Sequence, residues 1–134
     1  MRQFFLAVAM MLAAACSSTP QPSVDTQTVR DYVEVGELED VQHIRVYAHD
    51  SWSRLSDHFV IYEARNDNYL IEFRRRCREL QDNTRIVSDR RYDHNRLRVN
   101  EDTLRGCRIG KIYPLTEGQA IELQNLGKGP GEGN

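Results

Sequence analysis

Long apolar runs are almost absent from this chain of 134 residues. The longest is Phe4 to Ala15, and nothing after it comes close. A membrane-spanning helix needs about 20 apolar residues, so neither that run nor any later segment qualifies. Cysteine is scarce at three, proline at four and tryptophan at one. No G-x-S-x-G elbow is present, which removes the usual α/β-hydrolase signature. No C-x-x-C pair occurs, and none of His43, His49, His58 and His94 forms an i, i+4 pair, so no zinc pattern emerges. The formal net charge is −2, and a chain that is not basic overall lacks the electrostatic footprint of a nucleic-acid binder.

What is present begins at the N-terminus. Arg2 supplies a positive start, Phe4 to Ala15 an apolar stretch, and Ala13-x-Ala15 a small-residue cleavage site, so residues 1–15 read as a secretory signal. Cys16 follows at once, at the position that carries lipid in bacterial lipoproteins. Leu12 stands four residues before it and Ala13 takes the place usually held by Leu. The alternative is an ordinary signal that leaves Cys16 as a free thiol. Residues 16–28 are polar and proline-bearing, the composition of a tether. Ser17, rather than Asp, follows the cysteine, which in the lipoproteins this resembles favours the outer membrane. One acyl chain binds a bilayer only marginally, whereas two or three hold it in place. Residues 29–127 are then expected as one globular domain and 128–134 as a flexible tail.

With Cys16 set aside, Cys77 and Cys107 remain as an even pair in an oxidising compartment, most simply read as a disulfide. A loop of about 30 residues gives roughly 3.5 kcal/mol in the chain-entropy model, a large share of an ordinary domain's 5–15 kcal/mol. A metal pair or a redox dithiol is the alternative, and no spacing supports either.

Strand signals dominate the rest. Tyr32 to Val35 and Ile44 to Ala48 alternate, Phe59 to Ala64 is nearly continuous, and Arg65 to Asn68 reads as a turn before Tyr69 to Phe73 returns. Shorter strands are expected at Arg85 to Ser88, Arg96 to Val99 and Cys107 to Tyr113. Arg74 to Gln81 reads as a helical turn carrying Cys77. Thr116-Glu117-Gly118-Gln119 fits a capping box, and Ala120, Leu123 and Leu126 recur at helical spacing. The expected fold is mainly β, a small antiparallel sheet or barrel with a short C-terminal helix, with α+β as the alternative.

Charge is uneven. Asp31 to Glu72 holds ten acids and three arginines, whereas Arg74 to Arg108 holds eleven arginines and six acids. Folding that brings the halves together neutralises much of this. The contrasting reading is a basic face for lipid A, phospholipid headgroups or another anionic polymer. Arg74, Arg75, Arg76 and Arg78 form the densest run, and Arg74 and Arg78 share a face if the segment is helical. His49-Asp50-Ser51 has triad residue types, but adjacent residues diverge where a triad must converge. Trp52 is expected in the core.

Trp52, Tyr69-Leu70-Ile71, Cys77 with Leu80, and Cys107-Arg108-Ile109-x-x-Ile112-Tyr113-Pro114 together resemble a family of small bacterial lipoproteins known only as a domain of unknown function. The resemblance spans about Asp40 to Leu115 and implies a disulfide and an envelope location, with no activity to carry over. The functional expectation is a lipid-anchored envelope protein, a non-enzymatic binding or adaptor module. It would be held to the membrane through Cys16, with an envelope protein or polymer as partner, no nucleic acid and no cofactor. An inhibitor or modulator of a cell-wall lytic enzyme is the second reading, and an envelope hydrolase the third.

Overall fold

The computed structural model describes residues 24–47, 50–81, 88, 89 and 95–126. Cys16, His49, His94, the strand expected from Arg85 up to residue 87, and the tail at 128–134 lie outside them. The order is α1 (Thr26–Val35), β1 (His43–Arg45), β2 (Ser51–Arg54), β3 (Phe59–Ala64), β4 (Asp67–Phe73), a 3₁₀ turn (Arg78–Gln81), β5 (Ser88–Asp89), β6 (Arg96–Arg98), β7 (Thr103–Leu104), β8 (Cys107–Leu115) and α2 (Glu117–Leu126).

Six strands form one antiparallel sheet in the order β2-β3-β4-β8-β7-β5, and β1 pairs with β6 in a separate ribbon. The sheet curls into a half-barrel, so the mainly β expectation holds. Each face covers a core. Val60, Tyr62, Ile71, Phe73, Ile109 and Ile112 meet Ile44 and Leu97 of the ribbon and Leu80 of the 3₁₀ turn. Phe59, Ile61, Leu70 and Tyr113 face Val29 of α1 and Ala120 and Leu123 of α2. Alternate residues of β3 therefore serve opposite cores, which is why its sequence is continuously apolar. Trp52 is half-buried and packs against the first core.

Tyr32 to Val35 is helix, not the expected strand. Asp25 accepts a hydrogen bond from the Thr28 amide at 3.2 Å and caps α1. Val29, Tyr32 and Val33, spaced by three and four, turn toward the core, leaving Val35 84% exposed. The fold also starts before residue 29, since Val24 is buried and donates its amide to the Leu55 carbonyl at 2.8 Å. The hairpin turn is tighter than expected, with Ala64 already paired to Asp67. Only Arg65 and Asn66 lie between them, with Arg65 at φ 57°. β1 stops at Arg45, short of the expected strand to Ala48, and Ala48 lies outside the described residues.

The α2 capping box forms as its sequence implies. The Gln119 amide donates to Thr116 Oγ1 at 3.2 Å, and the Thr116 amide to Gln119 Oε1 at 2.9 Å.

Candidate functional site

The chain leaves β4 at Phe73 and runs as irregular backbone through Arg74, Arg75 and Arg76 to Cys77. Each end of this short segment is fastened. The Arg74 amide donates to the Arg108 carbonyl at 3.0 Å, extending the β4–β8 ladder by one bond. The Cys77 amide donates to the Asp57 carbonyl at 2.7 Å, and its sulfur is bonded to Cys107, the first residue of β8. Cα atoms 5.8 Å apart suit a disulfide, and Cys77 is fully buried.

Gly110 explains how the crossing is shaped. Phe73 pairs with Ile109 and Glu72 with Lys111, so Gly110 is an extra residue in β8, a β-bulge. The bulge resets the alternation and lets Ile109 and Ile112, three apart, face one core. A Cβ at Gly110 would sit 3.1 Å from Arg74 Cγ and 3.3 Å from both the Arg74 amide nitrogen and the Glu72 carbonyl. Glycine is thus what lets Arg74 lie across β8.

The result is a cleft of about 580 Å³ lined by Arg74, Arg75, Arg76 and Arg108, with Glu79, Gly106 and Cys107. Gly106 closes the β7–β8 turn at φ 78°, after Arg105 at φ 55°, so the turn needs a left-handed pair there. Arg76 is paired with the Asp57 carboxylate, which Arg54 also contacts. Burial pushes the Asp57 carboxyl up, but the hydrogen bonds and charges of Arg54 and Arg76 outweigh it and hold its pKa below the ordinary value. Arg108 donates to the Asn100 carbonyl at 3.1 Å. Arg74 and Arg75 have no carboxylate partner among the described residues. Neutralisation between the acidic and basic halves is therefore partial. It reaches Arg76 and stops short of the other cleft arginines.

Arg74 and Arg78 do not share a helical face. Helical backbone begins only at Arg78, where the 3₁₀ turn starts, and Arg78 lies outside the cleft lining. Arg108 takes its place. The sequence did place Arg108 beside Cys107, and a disulfide between Cys77 and Cys107 brings the residues flanking each sulfur together. That signal was enough to find it.

The sulfurs of Cys77 and Cys107 and a carboxylate oxygen of Glu79 lie within 4.8 Å of one another. The sulfurs are bonded to each other, however, and a disulfide supplies neither a thiolate ligand nor an S–H donor. Asp50 ties its own loop to β3. Its Oδ2 accepts from the Tyr47 amide at 2.7 Å and the Tyr62 hydroxyl at 2.8 Å.

A family model for a family of unknown function (DUF6491) matches residues 1–127, and the chain belongs to that family. The match is wider than the segment that carried the resemblance. No curated protein and no solved structure matches the chain.

Proposed function

We propose that this chain is a lipid-anchored envelope protein, tethered through Cys16, whose stapled domain binds an anionic partner in the cleft of Arg74, Arg75, Arg76 and Arg108. The observation that carries this reading is the excess of positive charge there. Four arginines and one carboxylate, Glu79, line the cleft, and among the described residues only Arg76 of the four is paired with a further acid. Like charges held close repel one another, and an anion entering the cleft relieves that repulsion. Guanidinium groups also present planar forks that fit carboxylate and phosphate oxygens in pairs.

A binding role is favoured over catalysis by the same chemistry. Arginine side chains hold their charge throughout the physiological range and neither give nor take protons. The fastening of the segment at Arg108, Asp57 and Cys107 means that little ordering remains to be done on binding.

Two measurements test the two halves of the proposal. Mass spectrometry of the N-terminal peptide should find acyl groups on Cys16, and Cys16→Ser should release the protein from the membrane fraction. On immobilised dextran sulfate, a simple polyanion, the domain should be retained and should elute at much lower salt after Arg74→Gln, Arg75→Gln and Arg108→Gln together. Unchanged elution of that variant would remove the cleft from the proposal.

A further inference from the structure

The chain enters its fold beside the arginine cleft, and this bears on what the cleft meets. Val24 stands eight residues after Cys16. Its amide is bonded to the Leu55 carbonyl, and Thr26 Oγ1 donates to Ser56 Oγ at 3.2 Å. The next residue, Asp57, holds Arg76 through its carboxylate and Cys77 through its carbonyl. The loop that receives the tether is therefore the loop that braces the cleft. Eight extended residues span at most about 28 Å, so a bilayer holding Cys16 lies within reach of this corner.

We infer that the cleft faces the membrane that anchors the protein and that its partner is the phosphate headgroups of anionic phospholipid. This rests on the preceding proposal of an anionic site and deepens it by naming the partner. Charge complementarity supports the orientation. Arg74, Arg75 and Arg76 are exposed at this corner. The one exposed acid at the start of α1, Asp25, is engaged in capping the helix through the Thr28 amide, whereas the exposed acids Asp31, Glu34 and Glu37 lie from the middle of α1 onward. Attraction to an anionic leaflet acts within about a Debye length, 8–10 Å, and a tether of at most about 28 Å brings the corner repeatedly into that range. Headgroup binding then orients a domain that the lipid alone leaves free to tumble.

The test uses the chain from Ser17 onward, which contains every described element and lacks both leader and lipid cysteine, so binding reports the cleft and not the anchor. Its fold, and that of each variant, is checked first by circular dichroism and a thermal melt. Cosedimentation is measured with vesicles of phosphatidylglycerol and phosphatidylethanolamine, and with phosphatidylcholine alone. The expected result is salt-sensitive binding to the anionic vesicles only, weakened about 100-fold by Arg74→Gln, Arg75→Gln and Arg108→Gln together, at about fivefold per arginine. Arg75→Glu, a single change at an exposed site, should also weaken it. Equal binding to both vesicle types, or binding indifferent to these substitutions, overturns the inference. Retention on dextran sulfate without vesicle binding also overturns it while leaving the anionic site standing. Loss of both overturns the site as well. None of these outcomes touches the acylation of Cys16, which is measured separately.

Discussion

Asp57 accepts hydrogen bonds from Arg54 and Arg76 and gives its carbonyl to the Cys77 amide. Its lowered pKa fixes the sign of its contribution to stability. A carboxyl whose folded pKa lies below its unfolded value stabilises above that unfolded value, near 3.8, and loses the contribution as pH falls through the folded one. Acid unfolding followed by circular dichroism should therefore show stability falling away below about pH 4. Asp57→Asn should lower stability at neutral pH and flatten that acid limb. Tyr32 works in the opposite direction. Burial and a 2.6 Å hydrogen bond to Glu122 push its pKa from 10.0 up to about 12. A raised pKa contributes below the unfolded value and is lost as pH climbs through the folded one, so the contact joining α1 to α2 should weaken between pH 10 and about 12. Tyr32→Phe should reduce the alkaline loss in a denaturation series, leaving the share of Tyr69 and Tyr113, whose pKa values burial also raises, and cost about 1 kcal/mol at neutral pH.

β8 is the element on which the site depends, because its first residue is Cys107 and its bulge at Gly110 makes room for Arg74. Gly110→Ala presses a methyl against Arg74 and the Glu72 carbonyl. Overpacking of this kind costs about 1–3 kcal/mol, and here it should also weaken retention on the polyanion by displacing Arg74. A loss of stability with unaltered retention would dissociate the bulge from the cleft. Thr116→Ala removes one half of the α2 capping box and should cost about 1 kcal/mol in chemical denaturation. Elements were legible where local chemistry was unambiguous. The capping box announced α2, and the continuous apolar run announced β3. β2 leaves no strand signal in the sequence because it is an edge strand whose one large apolar residue is Trp52, with no alternation to read. The end of α1 resembles a strand in sequence because Val33 and Val35 alternate. The longer pattern of Val29, Tyr32 and Val33 behind the Asp25 cap decided the outcome. In the site, Arg74, Arg75 and Arg76 stood out as a charge run. Their loss of helical partnership with Arg78 follows from tertiary fastening at Arg108 and Asp57, which no local pattern records.

At the scale of the whole molecule, a curled sheet with a core on each face is closed at one corner by the Cys77–Cys107 bond, 30 residues apart in sequence. Replacing both cysteines with alanine should lower stability by about 3.5 kcal/mol in the chain-entropy model, read by denaturant unfolding. It should also loosen the arginine segment and reduce anion binding more than the stability loss alone accounts for. Among the described residues no helix is long and apolar enough to cross a membrane, and membrane attachment through Cys16 remains part of the proposal. The most direct measurement is hydrogen–deuterium exchange on the full acylated chain, reconstituted in anionic and in zwitterionic vesicles. The expected result is slower exchange on the anionic surface at residues 74–77 and 105–110, the two sides of the cleft. Protection confined to α1 and α2, or no difference between the surfaces, would contradict it.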